Sequence, residues 1–159
     1  MLIKPDYNLK NIFEIDVEEL KRQGIKAILL DLDSTIMVSK SGVLSQEVIN
    51  WLNNLEKDFI ISVISNQKNK EYIEKVKKTI WFNMIFSANK PSPKAIKEFL
   101  TEKGLKPEEA VMIGDRPLTD IVAGKLAGCK TILVGSINPT ENLPTRFIRA
   151  VERSVIRTF

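Results

Sequence analysis

Ala27-Ile28-Leu29-Leu30-Asp31-Leu32-Asp33-Ser34-Thr35 is the stretch on which the reading of the whole chain turns. An unbroken apolar run leads into two carboxylates spaced two apart, followed by two hydroxyls. Such a run, apolar on both faces, is the mark of a strand inside a parallel sheet. On an extended chain residues i and i+2 point the same way, so Asp31 and Asp33 project together from the strand's end. Paired carboxylates resist joint ionisation unless a cation lies between them or one keeps a proton. A hard divalent ion such as Mg²⁺, which prefers carboxylate oxygens, fits that need. A strand running into an Asp-rich turn fits the same letters, because Asp and Ser are ordinary turn residues. Both readings stay open on this stretch alone.

Outward from it, strands alternate with helices. Asp16 to Gly24 carries a helix start and stop, the expected cover of one edge of the fold. After a polar loop over 36–44, Ser45 opens a helix with Val48, Trp51, Leu52 and Leu55 on one face. Phe59–Ile64 is a second strand ending at Ser65-Asn66-Gln67, and a lysine-rich helix from Asn69 to Ile80 follows, burying Tyr72, Ile73, Val76 and Ile80. Met84-Ile85-Phe86 leads to Lys90-Pro91, and Ser92-Pro93 starts a helix that stops at Gly104. Ala110–Ile113 is a fourth strand ending at Gly114-Asp115, Leu118–Ala127 a short helix, and Lys130–Val134 a fifth strand. The alternation predicts an α/β fold of three layers, Rossmann-like, with a mainly parallel five-stranded sheet in a single domain spanning 1–159.

Composition narrows the chemistry. At 159 residues, 43% hydrophobic and 28% charged, the chain is expected to be globular, and it has no apolar run near the ~20 residues that span a bilayer. The opening Met1-Leu2-Ile3-Lys4-Pro5-Asp6 lacks a secretory pattern, so a cytoplasmic place is expected. One cysteine, Cys129, excludes an internal disulfide and a Cys-rich zinc site. With no histidine in the sequence there is no Ser-His-Asp triad, no imidazole base and no His-ligated metal. Acid–base work falls to carboxylates, lysine or bound water. The net charge of +4 is too modest to argue for nucleic acid.

In open parallel sheets ligands bind beyond the carboxyl ends of the strands. Asp31 and Asp33, Ser65 and Asn66, Lys90, and Asp115 and Asp120 all follow predicted strands. Each has a turn as its plain explanation; together they place an acidic pocket, a hydroxyl donor and a lysine on one rim. That set suits phosphoryl transfer, in which Mg²⁺ screens a carboxylate nucleophile from the phosphate it attacks. Asp31 is then the nucleophile and Asp33 the acid and base. Ser65, Asn66 and Lys90 bind the phosphate, and Asp115 with Asp120 completes the metal site.

In order along the chain, Asp31-Leu32-Asp33-Ser34-Thr35, Ser65, Lys90 and Gly114-Asp115-Arg116-Pro117-Leu118-Thr119-Asp120 resemble the motifs of the haloacid dehalogenase (HAD) phosphatases. The resemblance implies a HAD fold and an aspartyl-phosphate on Asp31. It also implies a metal held by Asp31, the main-chain carbonyl of Asp33 and an Asp of the last motif. Over nearly the whole chain the sequence is similar to the small YqeG-like phosphatases, which resemble phosphatidylglycerophosphate phosphatases. Ile12-Phe13-Glu14-Ile15, Lys90-Pro91, Leu118-Thr119-Asp120 and the segment Thr145–Arg153 carry that likeness. Ser34, where that family usually has Asn, and Arg116-Pro117 depart from it.

The gaps between Thr35 and Ile60 and between Ser65 and Lys90 have no room for a cap domain. An open site suits a phosphate on something large, such as a membrane lipid headgroup. Near the end of the chain a basic amphipathic helix is expected over about 145–158. At about 100° per residue Arg146, Arg149, Arg153 and Arg157 fall within an arc of about 80°. Such a helix can make peripheral contact with an anionic membrane, or pack its apolar side on the sheet and leave the arginines in water. The expected activity is dephosphorylation of phosphatidylglycerophosphate to phosphatidylglycerol. A phosphatase of soluble phosphosugars or phosphorylated macromolecules is the alternative, and a catalytically silent scaffold the alternative of another class.

Overall fold

The computed structural model describes residues 2–137, and the expected basic helix over 145–158 lies outside them. Six strands form one sheet: β1 Tyr7–Leu9, β2 Ala27–Leu30, β3 Ile60–Ile64, β4 Asn83–Ile85, β5 Ala110–Gly114 and β6 Lys130–Val134. Their order is β1-β6-β5-β2-β3-β4, and every neighbouring pair is parallel. Five of them match the sequence reading. The additional one, β1, pairs Tyr7 with Ile132 and Leu9 with Val134 at the edge where only a covering helix was expected. Three residues carry too short an alternation to announce a strand; it exists because β6 offers it a ladder.

The helices are α1 Val17–Arg22, α2 Gln46–Glu56, α3 Lys70–Lys77, α4 Lys94–Lys103 and α5 Val122–Ala127. Asp16, Ser45 and Asn69 each cap a helix by accepting a backbone N–H three residues on. The left-handed Gly104, at φ 67°, closes α4, whose first residue lies just after Pro93. The helix expected over Leu118–Ala127 is divided: Pro117–Ile121 forms a π-helical turn and α5 follows it.

Because side chains alternate along a strand, β2 serves two cores. Ile28 and Leu30 join Val48, Leu52, Leu55 and Val76 on one face, while Ala27 and Leu29 join Ile96, Phe99, Leu100 and Ala123 on the other. The result is three layers, with α1, α2 and α3 contributing to one core and α4 and α5 to the other. Of the residues expected inward on α3, Val76 is buried, whereas Tyr72 and Ile73 are only half-buried. Truncating a fully buried leucine such as Leu52 to alanine in such a core costs about 2–5 kcal/mol.

The chain moves from β2 outward to β3 and β4 on one side, then returns to place β5 and β6 on the other. Connections diverge at the carboxyl end of β2, and the crevice this opens is where α/β sheets bind ligands. Only α2 lies between β2 and β3 and only α3 between β3 and β4, so neither gap holds a cap domain.

Candidate active site

Asp31 is held at the mouth of this crevice because its N–H donates to Ile113 O at 2.9 Å, carrying the β2–β5 ladder one step past the strand. Asp115 follows β5 directly and is buried. Asp120 arrives through the π-helical turn, a form that often marks functional positions. Its N–H donates to Arg116 O at 2.9 Å, and its Oδ2 accepts from Arg116 N–H at 3.1 Å. Gly114 is the condition for this fold-back: a Cβ there would occupy the space of the Asp120 side chain. One carboxylate oxygen from each of Asp31, Asp115 and Asp120 lies within 4.8 Å of the others, a grouping able to hold a metal ion.

Lys90 enters from the loop after β4. Its N–H donates to Asn66 Oδ1 at 2.7 Å and its carbonyl accepts from Asn66 Nδ2 at 2.9 Å, so one amide grips the lysine backbone on both sides. The side chain, 2% exposed, places Nζ 2.8 Å from Asp31 Oδ1 and 2.7 Å from Asp120 Oδ1. Burial alone would depress the ammonium; the charges of Asp120 and Asp31 outweigh it, so the lysine is held above its ordinary value and stays charged. Burial and the nearby Asp31 charge push the Asp120 carboxyl up to about 6, against the pull of Lys90. Thr35 Oγ1 lies 3.2 Å from Asp115 Oδ1 and 3.4 Å from Asp31 Oδ2. One hydroxyl proton cannot serve both oxygens fully, whereas a cation between them can.

This crevice therefore gathers Asp31, Asp115, Asp120 and Lys90. The Asp33 side chain stands outside that group of three carboxylates. Its Oδ1 accepts from Tyr72 Oη–H at 2.6 Å and from Lys40 N–H at 3.0 Å, and its Oδ2 lies 3.5 Å from Gln67 Nε2. Any part it has in metal binding falls to its main-chain carbonyl, since its carboxylate is not in the group of three. Ser65 is buried after β3, its Oγ accepting from Gln67 N–H at 3.0 Å. The Asn66 side chain, expected to bind phosphate, is committed to the Lys90 backbone.

Thr35, Tyr72 and the Lys40 amide were not singled out as site groups. Thr35 was within reach, four residues after Asp31 in the quoted motif. Ser34 has φ 70°, in the left-handed region where Asn is enriched. The departure from the family's Asn therefore falls where the backbone itself favours that residue.

Residues 87–146 match the family model described as HAD-hydrolase-like. Over 152 residues the chain is 33% identical to the probable phosphatase YqeG of Bacillus subtilis, covering 96% of this chain and 88% of that one. It is 26% identical over 165 residues to the chloroplastic/mitochondrial phosphatidylglycerophosphate phosphatase 1 of Arabidopsis thaliana. That match covers 98% of this chain and 47% of the plant protein, about half its length. Among solved structures, a haloacid dehalogenase-like hydrolase from Streptococcus pneumoniae aligns with a TM-score of 0.60 at 15% identity, covering 73% of this chain and 88% of that one. A protein from Listeria monocytogenes aligns with a TM-score of 0.59 at 16% identity over 85% of this chain and all of its own. These two likenesses are of fold.

Proposed function

This chain belongs to the YqeG-like phosphatases of the haloacid dehalogenase superfamily, and from that premise we propose that it is a Mg²⁺-dependent phosphomonoesterase acting on phosphatidylglycerophosphate. The observation that carries the chemistry is Lys90 Nζ seated between Asp31 and Asp120, with Asp115 alongside. The donor set is all oxygen, and the carboxylates outnumber the one buried ammonium, so the residues fit a hard divalent cation. Asp31, Asp115 and Asp120 would hold it, with the main-chain carbonyl of Asp33 as a further oxygen. When bound, the ion neutralises phosphoryl charge and lets a carboxylate approach a phosphate dianion.

Asp31 attacks phosphorus; the bond to the leaving oxygen breaks, and that oxygen takes its proton from the Asp33 carboxyl. Asp33, now a carboxylate, takes a proton from water, whose oxygen attacks the aspartyl-phosphate and frees Asp31. Lys90 supplies a fixed positive charge beside the nucleophile. The Ser65 hydroxyl, already an acceptor from Gln67, has its own proton to give to a phosphoryl oxygen.

Three features support a lipid headgroup as the carrier of the phosphate. The crevice has no cap domain, and the plant relative named for phosphatidylglycerophosphate matches nearly all of this chain. The sequence also spaces Arg146, Arg149, Arg153 and Arg157 so that a helix would carry them on one basic face. Peripheral contact of such a face with an anionic membrane would hold the protein where lipid headgroups are concentrated. Among the described residues no helix is long and apolar enough to cross a membrane.

Phosphate release should be measured from phosphatidylglycerophosphate in liposomes and from soluble phosphosugars, with Mg²⁺ and with chelator. Preference for the liposomes, dependence on Mg²⁺ and loss in Asp31→Asn are expected. Preference for soluble esters would overturn the substrate, and release by Asp31→Asn would overturn the mechanism.

A further inference from the structure

Asp33 has to hand a proton to a leaving oxygen while its neighbour Asp31 faces phosphorus, and its surroundings treat its two oxygens unequally. Oδ1 accepts two short bonds, from Tyr72 Oη–H at 2.6 Å and Lys40 N–H at 3.0 Å; Oδ2 has only Gln67 Nε2, at the 3.5 Å limit. We propose that Tyr72 is a positioning residue for Asp33, pinning Oδ1 so that Oδ2 carries the proton to and from the substrate. The inference rests on Asp33 acting as the acid and base.

Tyr72 is itself fixed. Its N–H donates to the α3 cap Asn69 at 2.9 Å, placing the ring in the first turn of the helix. Its hydroxyl also lies 3.4 Å from Met37 Sδ, but a phenol has one proton to donate and the carboxylate is the far better acceptor. Lys40 reaches the same oxygen from a left-handed turn at φ 59°. Two segments, the loop after β2 and the start of α3, therefore converge on one atom.

During transfer the Oδ2–H bond breaks, its proton forms an O–H bond on the leaving oxygen, and negative charge spreads to Oδ1. No proton leaves Tyr72. Its hydrogen bond strengthens as Asp33 becomes a carboxylate, so it favours the state after transfer over the state before it.

The readout is leaving-group dependence. kcat/KM reports events up to departure of the leaving group. An alkoxide needs the Asp33 proton to depart; 4-nitrophenolate does not. Tyr72→Phe, which keeps the ring, should be assayed with 4-nitrophenyl phosphate and with whichever alkyl phosphate the panel above turns over fastest. The ratio of alkyl to aryl kcat/KM is expected to fall about 10- to 100-fold. Because both substrates are read on one preparation, partial loss of folded protein cancels.

An unchanged ratio, whether both rates drop together or neither moves, overturns the proposal. Asp33→Asn separates this from the parent reading. If it lowers the ratio and Tyr72→Phe does not, only the role of Tyr72 fails. If Asp33→Asn leaves the ratio untouched, Asp33 is not the acid and both readings fall.

Discussion

Replacing Lys90 with methionine keeps most of the side-chain volume and removes the one buried cation that Asp31 and Asp120 share. The two carboxylates are then left with no positive charge between them, in a site where Asp120 is 1% exposed. Removing one partner of a buried ion pair costs about 3–5 kcal/mol, because the survivor's charge is left without compensation. For a protein of this size that lowers the urea midpoint by about 2 M. The penalty should depend on pH with a definite sign. Burial and Asp31 already raise the Asp120 carboxyl to about 6 in the presence of Lys90, and without the lysine it rises further. An acid whose folded value is raised is neutral and harmless below its unfolded value, and loses stability as pH climbs through the folded one. Lys90→Met should therefore be closest to the parent near pH 5 and furthest from it near pH 8. Adding Asp120→Asn, which removes the stranded charge, should recover at least half of the loss. The assay is urea unfolding by circular dichroism in chelator at both pH values. A midpoint within about 0.5 M of the parent at pH 8, or a loss larger at pH 5, refutes the electrostatic account.

Gly114→Ala puts a methyl where the Asp120 side chain lies, so melting should fall by an amount equivalent to about 1–3 kcal/mol and phosphatase activity should drop with it. Retained activity would show that Asp120 can move without consequence. Asn66→Ala strips both polar contacts from the Lys90 backbone. It should cost about 1–3 kcal/mol in unfolding experiments and lower kcat, while Asn66→Asp should restore only the contact to the Lys90 N–H. Far from the site, burial pulls the Asp6 carboxyl upward, but the Thr131 N–H and Lys125 outweigh it and hold it below the usual range. Stability from that group is present above its unfolded value and lost as pH falls through the folded one. Asp6→Asn should accordingly flatten the fall in melting temperature below about pH 4, and an unchanged slope would exclude it.

What the letters reveal depends on how local the cause is. Asp31 and Asp115 were legible because each directly follows an apolar run with the pattern of a buried strand, and parallel strands deliver their ends to one side. Lys90, shortly after another such run, was legible on the same ground. Asp120 was legible through its spacing in the motif that opens at Gly114. The detailed duties of the polar residues were not. Asn66 reads as a phosphate ligand at a strand end, yet its amide holds the backbone of Lys90, 24 residues away. Tyr72 reads as one more apolar position on α3, and only the packing of α3 beside the loop after β2 brings its hydroxyl to Asp33, 39 residues back. Likewise β1 owes its existence to β6 and to the Asp6 carboxylate, which accepts from Thr131 N–H at 2.8 Å. Pairings this distant leave no periodic trace.

The bond from Ile137 N–H to Ser34 O has a mechanical meaning. Among the described residues, a pull on Ile137 toward the carboxyl-terminal side meets that link before it meets the Gly135 contacts with Leu9 and Lys10 or the sheet behind them. Ser34 is the immediate neighbour of Asp33, so a pull on Ile137 is felt at the turn that carries the Asp33 carboxylate before it reaches the strands.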